Sequence, residues 1–445
     1  MTRRHSITGN GETWHGAARA AFALACFFPY PAVAIGQNTG LQMGQAAALA
    51  AVPFLMTRRP GRHLAAALLL TAPVVVSSFA NILLDEAGSP DLAVKNLVAL
   101  GLSFVVLWPA SAVTRRSSFG GLLRIAAAAI SVHAAVGLLQ VYSFTKDEFP
   151  LLFLYTNPSF KSMQEWAPTY ALYMKRPCGL FPEPSAMAAS LGPWVVLFAG
   201  LLVDPSLSPR GSGGRAVRPG GAFALGGLLI VASRSGYIAS FAACVSALLA
   251  GRAGHLVGAF SVKKYLACCA GLVVCGAAGL YAAAEVSSGY GERVDSSWGL
   301  RMASIRLGLT SNTGPRTLAF GVGPGQSTRI IQRDWDGPPI PKGQDDPAVW
   351  SLTVRYFMEM GLMGGAALAA VLGMAVRAVA RSSAAYLGAC CLLAWLVGVA
   401  ATTSYMSIAT IWLFLGLLLD WDRVFPPGRR HRGSSDADWG SSDAD

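Results

Sequence analysis

The sequence predicts an all-α integral membrane protein. Its 445 residues are 53% hydrophobic and only 13% charged, and its mean hydropathy is +0.47. Soluble globular domains carry about 25% charged residues, so this chain lacks the polar side chains needed to cover several soluble domains. A cytosolic enzyme, a secreted disulfide scaffold and a disordered chain are therefore excluded. A spanning helix needs about 20 apolar residues, which leaves room for about ten to twelve spans.

Twelve apolar runs are the candidate membrane helices. They lie at 17–36, 40–56, 64–84, 97–113, 120–142, 185–203, 220–233, 236–251, 265–283, 351–376, 384–402 and 405–420. The first run follows Arg3 and Arg4, and we interpret it as a retained anchor helix rather than a cleaved signal peptide. The two runs on either side of Arg234 are short, and we count them as two helices because the charge distribution requires it.

Basic residues mark alternate short connections between these runs, as the positive-inside rule describes for cytoplasmic loops. They are Arg58, Arg59, Arg62, Arg115, Arg116, Arg210, Arg215, Arg218, Arg252, Lys263, Lys264, Arg377, Arg381, Arg423, Arg429, Arg430 and Arg432. The connections at 37–39 and 403–404 contain no Lys or Arg. We therefore expect both termini in the cytoplasm. We attribute the net charge of +12 to basic residues in the cytoplasmic connections rather than to a nucleic-acid-binding surface.

Two connections on the predicted outer side are long, at 143–184 and 284–350, and both are basic. They are rich in Trp, Tyr, Phe and Pro, so we expect ordered, functional loops. Residues 1–432 are expected to form one membrane domain, and the acidic, Ser-rich residues 433–445 a disordered cytoplasmic tail. No internal repeat relates the two halves of the chain. That absence disfavours a twelve-helix secondary transporter, because such transporters are commonly built from matching halves.

The cysteines and histidines do not indicate a metal site or a cofactor. No Cys-x-x-Cys pair or zinc-type spacing occurs, and seven of the eight cysteines lie in apolar runs. His133 is the one histidine well inside such a run. We favour a packed, hydrogen-bonded imidazole there over a functional one.

The segment 175–185 has the sequence KRPCGLFPEPS and ends the first long loop. Pro184 and Ser185 are expected to begin the sixth helix, because proline is tolerated in the first turn and serine is a common cap. Glu183 lies beside that N-terminus, where the helix dipole favours a carboxylate. It is either a capping group or a functional carboxylate that points toward Arg176 or an outer cavity.

Arg234 lies in Ser233-Arg234-Ser235-Gly236, between two short runs near the predicted outer face. An arginine at bilayer depth costs several kcal/mol unless it is paired or lines a wet cavity. Two interpretations stay open. The side chain either snorkels to the interface or binds an anion in an outer cavity.

The second long loop combines arginines with a glycine turn. If residues 299–310 form a short helix on the outer face, Arg301 and Arg306 are five residues apart and do not lie on a single stripe. The turn Gly321-Val-Gly323-Pro-Gly325 is a weak signal for an anion-binding loop that exposes backbone N–H groups, since it lacks the Lys-Ser/Thr of a P-loop and no strand precedes it. The other arginines of this loop include Arg316, Arg329 and Arg333. Guanidinium groups match phosphate oxygens, so the cluster suits a diphosphate or an acidic sugar; the alternative is a charged, solvated loop.

Together these segments resemble the O-antigen polymerase and ligase superfamily of bacterial inner-membrane glycosyltransferases. Residues 176–185 are similar to the family's Arg-x-x-Gly-x-Phe-x-Glu-Pro-Ser segment, and residues 233–236 match its Ser-Arg-Ser-Gly. Phe320-Gly-Val-Gly323 matches its Phe-Gly-x-Gly turn, and Glu359-Met-Gly361-Leu-Met-Gly364 matches its Glu-x-Gly-Leu-x-Gly helix start. The four matches follow the family's order over residues 176–364.

The resemblance implies an all-helical, metal-independent glycosyltransferase of the C type without a cofactor. Such an enzyme joins polyprenyl-diphosphate-linked oligosaccharide repeat units into O-antigen or exopolysaccharide at the periplasmic face of the bacterial inner membrane. It works in membrane lipid, with a chain-length regulator and a flippase of the same pathway as partners. Ligases of the superfamily carry a His-Asn pair shortly before the Glu-x-Gly helix. Here Trp350 and Ser351 lie near that place, and neither long loop contains a histidine, so a polymerase is favoured over a ligase.

The resemblance also implies roles for the singled-out residues. A departing polyprenyl diphosphate develops negative charge, and Arg176, Arg234 and Arg316 are expected to stabilise that charge. Glu183 is the motif carboxylate that would serve as a base for the acceptor hydroxyl, or it orients Arg176. The further substrate-binding candidates are Arg301, Arg306, Gly323, Arg329 and Arg333, and the further carboxylates are Asp295 and Asp336.

Overall fold

The computed structural model describes residues 9–36, 39–55, 61–84, 90–157, 167–168, 171, 176–204, 207, 222–223, 226, 296–335, 337, 349–401 and 406–427. This part of the chain is mostly helical, and its elements are numbered here in chain order. The helices are α1 Gly9–Cys26, α2 Met43–Leu55, α3 Gly61–Leu84, α4 Pro90–Val105, α5 Leu107–Val113, α6 Arg116–Phe144, α7 Pro184–Val203, α8 Ser296–Thr310, α9 Pro315–Phe320, α10 Ser327–Asp334, α11 Leu352–Ala380, α12 Ala385–Ala401, α13 Ala409–Leu419 and α14 Trp421–Val424. The strands are β1 Ala32–Gly36 and β2 Thr39–Gln42.

Five segments of the described chain are long and apolar enough to cross a membrane. They are Gly61–Ile82, Val94–Val113, Arg116–Phe144, Pro184–Leu202 and Leu352–Ala380. Four shorter apolar helices are Gly16–Cys26, Met43–Val52, Ala385–Ala400 and Ala409–Leu419. The architecture therefore agrees with an all-α membrane protein. Nine of the twelve predicted runs contain a helix. The runs at 236–251 and 265–283 lie outside the described residues, and of the run at 220–233 the structure describes residues 222–223 and 226 alone. Twelve spans therefore stay a prediction.

The prediction of a helix over residues 17–36 is wrong for the second half of that run. Helix α1 ends at Cys26, and residues 32–36 form strand β1, which pairs antiparallel with β2. Pro29 and Pro31 explain the break, because proline lacks the backbone donor that a continuing helix needs. Apolar composition alone did not distinguish this hairpin from a helix.

The fourth predicted run, 97–113, is interrupted. Helix α4 begins earlier, at Pro90, and ends at Val105, and α5 follows after Val106. Pro109 stands in the first turn of α5 and cannot donate a hydrogen bond to the carbonyl of Val105. The two short helices together still make one candidate span.

Helix α13 forms the centre of the bundle. All of its eleven residues are buried, and it packs against α5, α7, α11 and α12. Its sequence, ATIWLFLGLLL, has no polar face, which is the pattern of a helix surrounded by protein or lipid. Aromatic rings fill its surroundings: Phe414 meets Trp194 with centroids 4.9 Å apart, and Trp412 meets Phe104 at 4.8 Å.

A buried carboxylate, that of Asp420, lies at the C-terminal end of this central helix. Asp420 is 0% exposed, and its Oδ2 lies 2.9 Å from His63 Nε2 and accepts a 3.0 Å hydrogen bond from Thr114 Oγ1. Arg423 binds its other oxygen at 2.9 Å. The carboxylate thereby ties together the start of α3, the end of α5 and the end of α13, on the side predicted to be cytoplasmic.

Sidedness gives the first testable prediction. We expect Thr313→Cys, in the exposed connection between α8 and α9, to react with a membrane-impermeant maleimide in intact spheroplasts. Ser117→Cys, exposed in the first turn of α6 beside Arg115 and Arg116, should react only after the membrane is permeabilised, because basic connections stay cytoplasmic. The parent chain is the background control, and the reverse order of labelling contradicts the topology.

Candidate functional site

The candidate site is built around a break in the long helix α11. Gly361 has φ 64° and ψ −157°, which no helix can contain. Its conformation lies in the left-handed half of backbone space, where only glycine avoids a steric penalty. A Cβ at Gly361 would lie 2.6 Å from the Ala319 carbonyl carbon and from Gly321 N. The Glu-x-Gly motif is therefore in direct backbone contact with the glycine turn that precedes α10.

The turn satisfies the carbonyl groups that the break leaves without helical partners. Val322 N donates to Met358 O at 2.9 Å, and Gly323 N donates to Glu359 O at 3.1 Å. Ser77 Oγ, on α3, also donates to Glu359 O at 2.8 Å. Buried backbone acceptors need such donors. The amides of the turn thus bind the carbonyls at the break, so both motifs belong to one hydrogen-bonded unit.

These contacts overturn the expectation that the glycine turn presents its N–H groups to an anion. The amide of Gly321 donates to Thr317 O, that of Gly323 to Glu359 O, and that of Gln326 back to Gly323 O. Gly323 is buried, and a Cβ there would lie 3.1 Å from Asn81 Cγ. Gly323 therefore serves close packing of the turn against α3, and its amide is not a phosphate donor.

The arginines of the second long loop are carried by three short helices around this break. Helices α8, α9 and α10 all pack against α11. Helix α8, Ser296–Thr310, contains the segment 299–310, and two further helices follow it within residues 296–335. Arg301 and Arg306 lie on α8, Arg316 on α9, and Arg329 and Arg333 on α10.

The surroundings of these arginines differ. The Arg301 guanidinium lies over the Trp350 ring, 5.2 Å from its centroid, in a cation–π contact. Arg316 is half-buried, whereas Arg329 is exposed. Arg333 is bound to Asp334 at 2.7 Å on the surface, and this pair raises the pKa of Arg333 and lowers that of Asp334. Arg333 is thus engaged by its neighbour on the same helix.

Sequence reasoning missed one ionic group at the break. The side chain of Glu359 is 0% exposed, and its Oε1 accepts hydrogen bonds from Arg355 Nε at 2.9 Å and from Ser327 Oγ. Glu359 Oε2 has no hydrogen-bond partner among the described residues. Arg355 lies one helical turn before Glu359 and is 24% exposed. The signal in the sequence was the i,i+4 spacing of opposite charges within an apolar run.

A second polar cluster holds the loop that carries Arg176. Gln140, on α6, accepts the backbone N–H groups of Cys178 and Gly179 at 2.9 and 3.0 Å. Its Nε2 donates to Gly179 O at 3.1 Å and to the Tyr155 hydroxyl at 2.6 Å. The Tyr155 hydroxyl donates to the same carbonyl. One buried amide therefore fixes three backbone groups of the motif, and composition gave no hint of it.

His133 completes this support and is a packed, hydrogen-bonded imidazole, as expected. Its Nδ1 accepts the N–H of Leu180 at 3.1 Å, and its Nε2 donates to Phe27 O at 2.9 Å. Gly179 has φ 57°, and a Cβ there would lie 2.9 Å from His133 Nδ1. The glycine of the Arg-x-x-Gly motif thus allows the loop to lie directly on the imidazole.

The thiol of Cys178 in this loop is expected to be unreactive. Burial raises the pKa of its thiol to about 12, against smaller opposing effects of Gln140 and Tyr155. A thiol with this pKa is protonated at neutral pH and is a poor nucleophile.

The helix predicted to begin at Pro184 does so, with Pro184 as its first residue. Ser185 is not the cap that was expected. It lies inside the helix and donates its hydroxyl to Glu183 Oε1, whereas Glu183 occupies the cap position with an extended backbone. Within the described residues Arg176 forms no ion pair with Glu183. Both side chains are partly exposed at the start of α7.

Three of the expected residues lie outside the described part of the chain. They are Arg234, Asp295 and Asp336. The structure thus places Arg301, Arg306, Arg316, Arg329 and Arg333 on helices that pack against α11, Gly323 in the turn at its break, and Arg176 and Glu183 in the segment that leads into α7. Convergence of Arg176 and Arg316 on one cavity stays a prediction.

Removing the Gln140 side chain tests the support of the loop. We expect Gln140→Ala to lower the thermal unfolding midpoint in detergent, because each buried N–H left without an acceptor costs about 1–3 kcal/mol. Gln140→Glu should also lower the midpoint, because it replaces the Nε2 donor to Gly179 O with a buried oxygen that repels this carbonyl. Leu139→Ala, on the 39% exposed neighbouring position, is the control. Equal midpoints for Gln140→Ala and Leu139→Ala contradict the assigned role.

No three His, Cys, Asp or Glu side chains of the described chain come together as metal ligands. Comparison of the whole chain with protein-family models and with curated protein sequences finds no match. The function is therefore argued from the residues and their geometry.

Proposed function

We propose that this protein is a membrane glycosyltransferase that polymerises polyprenyl-diphosphate-linked oligosaccharide repeat units at the periplasmic face of a bacterial inner membrane. The observation that carries the proposal is the contact between two motifs of the resemblance. The glycine turn at Gly321 and the helix break at Gly361 interlock through their backbones. Two independent matches to the superfamily thus belong to one structural unit, to which three arginine-bearing helices are attached.

The proposed reaction transfers a glycan between two lipid-linked substrates. The bond between the anomeric carbon of the growing glycan and its polyprenyl diphosphate breaks, and a new bond forms to a hydroxyl oxygen of the incoming repeat unit. The hydroxyl proton passes to a base, and the polyprenyl diphosphate leaves with the electron pair. Stabilising its charge is the main task of the protein, and guanidinium groups on rigid elements suit that task because they need no reorganisation.

The arginines of this mechanism are Arg176, Arg234 and Arg316, with Arg301, Arg306 and Arg329 as further contacts. Arg176 is on a loop that Gln140 and His133 fix to α6, and Arg316 is on a helix packed against the α11 break. Such support is the kind of preorganisation that a charge-stabilising site requires.

Glu183 is proposed as the base. Its position at the start of α7 leaves it partly exposed, and the described structure contains no Arg176–Glu183 ion pair. The described contacts of Glu183 include a hydrogen bond from the Ser185 hydroxyl and none to Arg176. A base must lie within hydrogen-bond reach of the acceptor hydroxyl, so the assignment depends on how the acceptor binds.

Purified protein incubated with lipid-linked repeat units tests the proposal. A polymerase yields a ladder of products that differ by one repeat unit on a denaturing gel. A single transfer product indicates the ligase alternative, and no transfer contradicts both. Uptake of the repeat unit or its lipid into sealed vesicles without new glycosidic bonds would indicate a transporter. Protein inactivated by heat is the matched control.

A further inference from the structure

Three arginines lie together where helix α6 begins. Arg115 directly precedes α6 and Arg116 is its first residue, and both are exposed. Arg19, on α1, donates from Nη1 to the Ser118 hydroxyl in the first turn of α6 at 3.5 Å. Helices α1 and α6 also pack against each other. The three guanidinium groups therefore form one surface, the α6 basic patch, on the side predicted to be cytoplasmic.

The α6 basic patch has no neutralising partner among the described residues. None of its three arginines takes part in an ion pair there, and the first turn of α6 contains no acidic residue. Arg19 Nε is buried without a hydrogen-bond partner, and the bond from Arg19 to Ser118 is longer than is usual. Most of the donors that this patch offers are therefore unused.

The carboxylates that the neighbouring helix brings to this end of the bundle are already bound. Helix α14 packs against α6, and Asp420 and Asp422 lie at its start. Asp420 is held by three side chains, including that of Arg423 at 2.9 Å. Asp422 binds Arg62 through both of its oxygens at 2.8 Å. The positive charge of the patch is therefore left for a ligand from outside the bundle.

The position of the patch indicates what that ligand is. Exposed apolar residues recur at helical spacing along α6, among them Val132, Leu138 and Tyr142, and this face of a candidate span contacts lipid chains. The span Arg116–Phe144 has 29 residues, or about 43 Å along the helix. A bilayer with its head groups is about 40–45 Å thick. The first residues of α6 therefore lie at the level of the lipid head groups.

The chemistry of the patch selects among head groups. Guanidinium forks match phosphate oxygens, and basic pockets between membrane helices bind anionic head groups on the cytoplasmic side. A zwitterionic head group contains a cation of its own, which the arginines would repel. The positive end of the α6 dipole adds to this preference. A phospholipid with a net negative charge thus fits the patch best.

We propose that the α6 basic patch is a binding site for an anionic phospholipid, whose phosphate is bound by Arg115 and Arg116, with Arg19 as a third donor from the neighbouring helix. A lipid bound in this way joins α1 to α6 through its head group. The inference does not depend on the proposed transfer reaction.

Titration of the full-length protein in dodecyl maltoside with dioleoylphosphatidylglycerol tests this site, with bound lipid counted by native mass spectrometry. We expect the double variant Arg115→Ala/Arg116→Ala to bind about thirtyfold more weakly, because each basic side chain near an anionic surface contributes about fivefold. Arg19→Gln should bind about fivefold more weakly. Dioleoylphosphatidylcholine, which has no net charge, should bind the parent and these variants equally.

The matched control is Arg377→Ala/Arg381→Ala. Both arginines are exposed at the C-terminal end of α11, on the same predicted side of the membrane, so this variant also loses two positive charges. It should bind phosphatidylglycerol as the parent does, because the helix dipole there disfavours an anion. Equal weakening in the two double alanine variants overturns the assignment, since it would reflect overall charge. Parental binding by Arg115→Ala/Arg116→Ala overturns it as well.

Three further arms address folding and the source of the anion. Arg115→Lys/Arg116→Lys keeps the charges that set the sidedness and should bind with intermediate affinity, because it loses the forks. If the alanine pair does not insert, parental binding by the lysine pair overturns the assignment in its place. Inorganic phosphate should not compete with the lipid, and full competition would identify a free-phosphate site instead. Lipid binding that appears only after residues 433–445 are deleted would identify the acidic tail as the occupant and would also overturn the proposal.

Discussion

Replacing Arg176 or Arg316 with alanine is expected to reduce polymer formation by about a hundred- to a thousandfold. Loss of one preorganised contact to a developing anion typically costs about 2.7–4 kcal/mol of transition-state stabilisation. Lysine at either position should rescue only part of the activity, because it keeps the charge and loses the bidentate fork. The measurement is the rate of repeat-unit addition by purified protein, with polymer length in cells as a second readout.

The control for this experiment is Arg124→Ala. Arg124 is exposed on α6, where it donates to the carbonyl of Gly120 in the preceding turn. Its removal should leave the rate unchanged, because exposed charges contribute little. Protein amount and elution volume must match the parent for each variant. Parental rates in both Arg176→Ala and Arg316→Ala would mean that these arginines belong to a solvated loop.

Replacing Gly321 with alanine is expected to remove most of the folded protein. Gly321 has φ 73°, and a Cβ there would overlap the backbone carbonyl of Glu359. The left-handed conformation costs a non-glycine residue about 1–2 kcal/mol, and overpacking about 1–3 kcal/mol more. Together these costs are a large part of the net stability of a typical domain. Gly361→Ala should behave in the same way, because its Cβ meets the turn from the other side.

Gly373→Ala is the matched control in the same helix. A Cβ at Gly373 meets no atom within 4 Å, and alanine is favoured over glycine in a helix interior by about 1 kcal/mol. The readout is the fraction of detergent-extracted protein that elutes as a single peak after heating. We expect Gly373→Ala to melt at or above the parental temperature and Gly321→Ala well below it. Equal melting of all three chains would show that the turn and the break do not interlock.

The sequence was sufficient for features that depend on composition and on local backbone chemistry. The scarcity of charge determined the class of protein, and apolar length located nine helices that the structure contains. Pro184 marked the first residue of α7, because proline is favoured in the first turn, where its missing N–H has no helical partner. The packed state of His133 followed from its place in an apolar run. These are properties of single segments, so they do not depend on which segments meet.

Only the tertiary structure decided the features that depend on two distant segments. The glycine turn looked like an anion-binding loop until Met358 and Glu359 were seen to accept its amides. The role of Gln140 follows from partners in another segment, and nothing at that position distinguishes it from other polar residues of a helix. The Arg355–Glu359 pair has the i,i+4 spacing of an ion pair, but its burial at the break depends on the packing of other elements. The partner of a backbone amide, and the need for glycine at a left-handed position, depend on which atoms of other elements lie beside it. That information is a property of the packing between elements, and no single segment contains it.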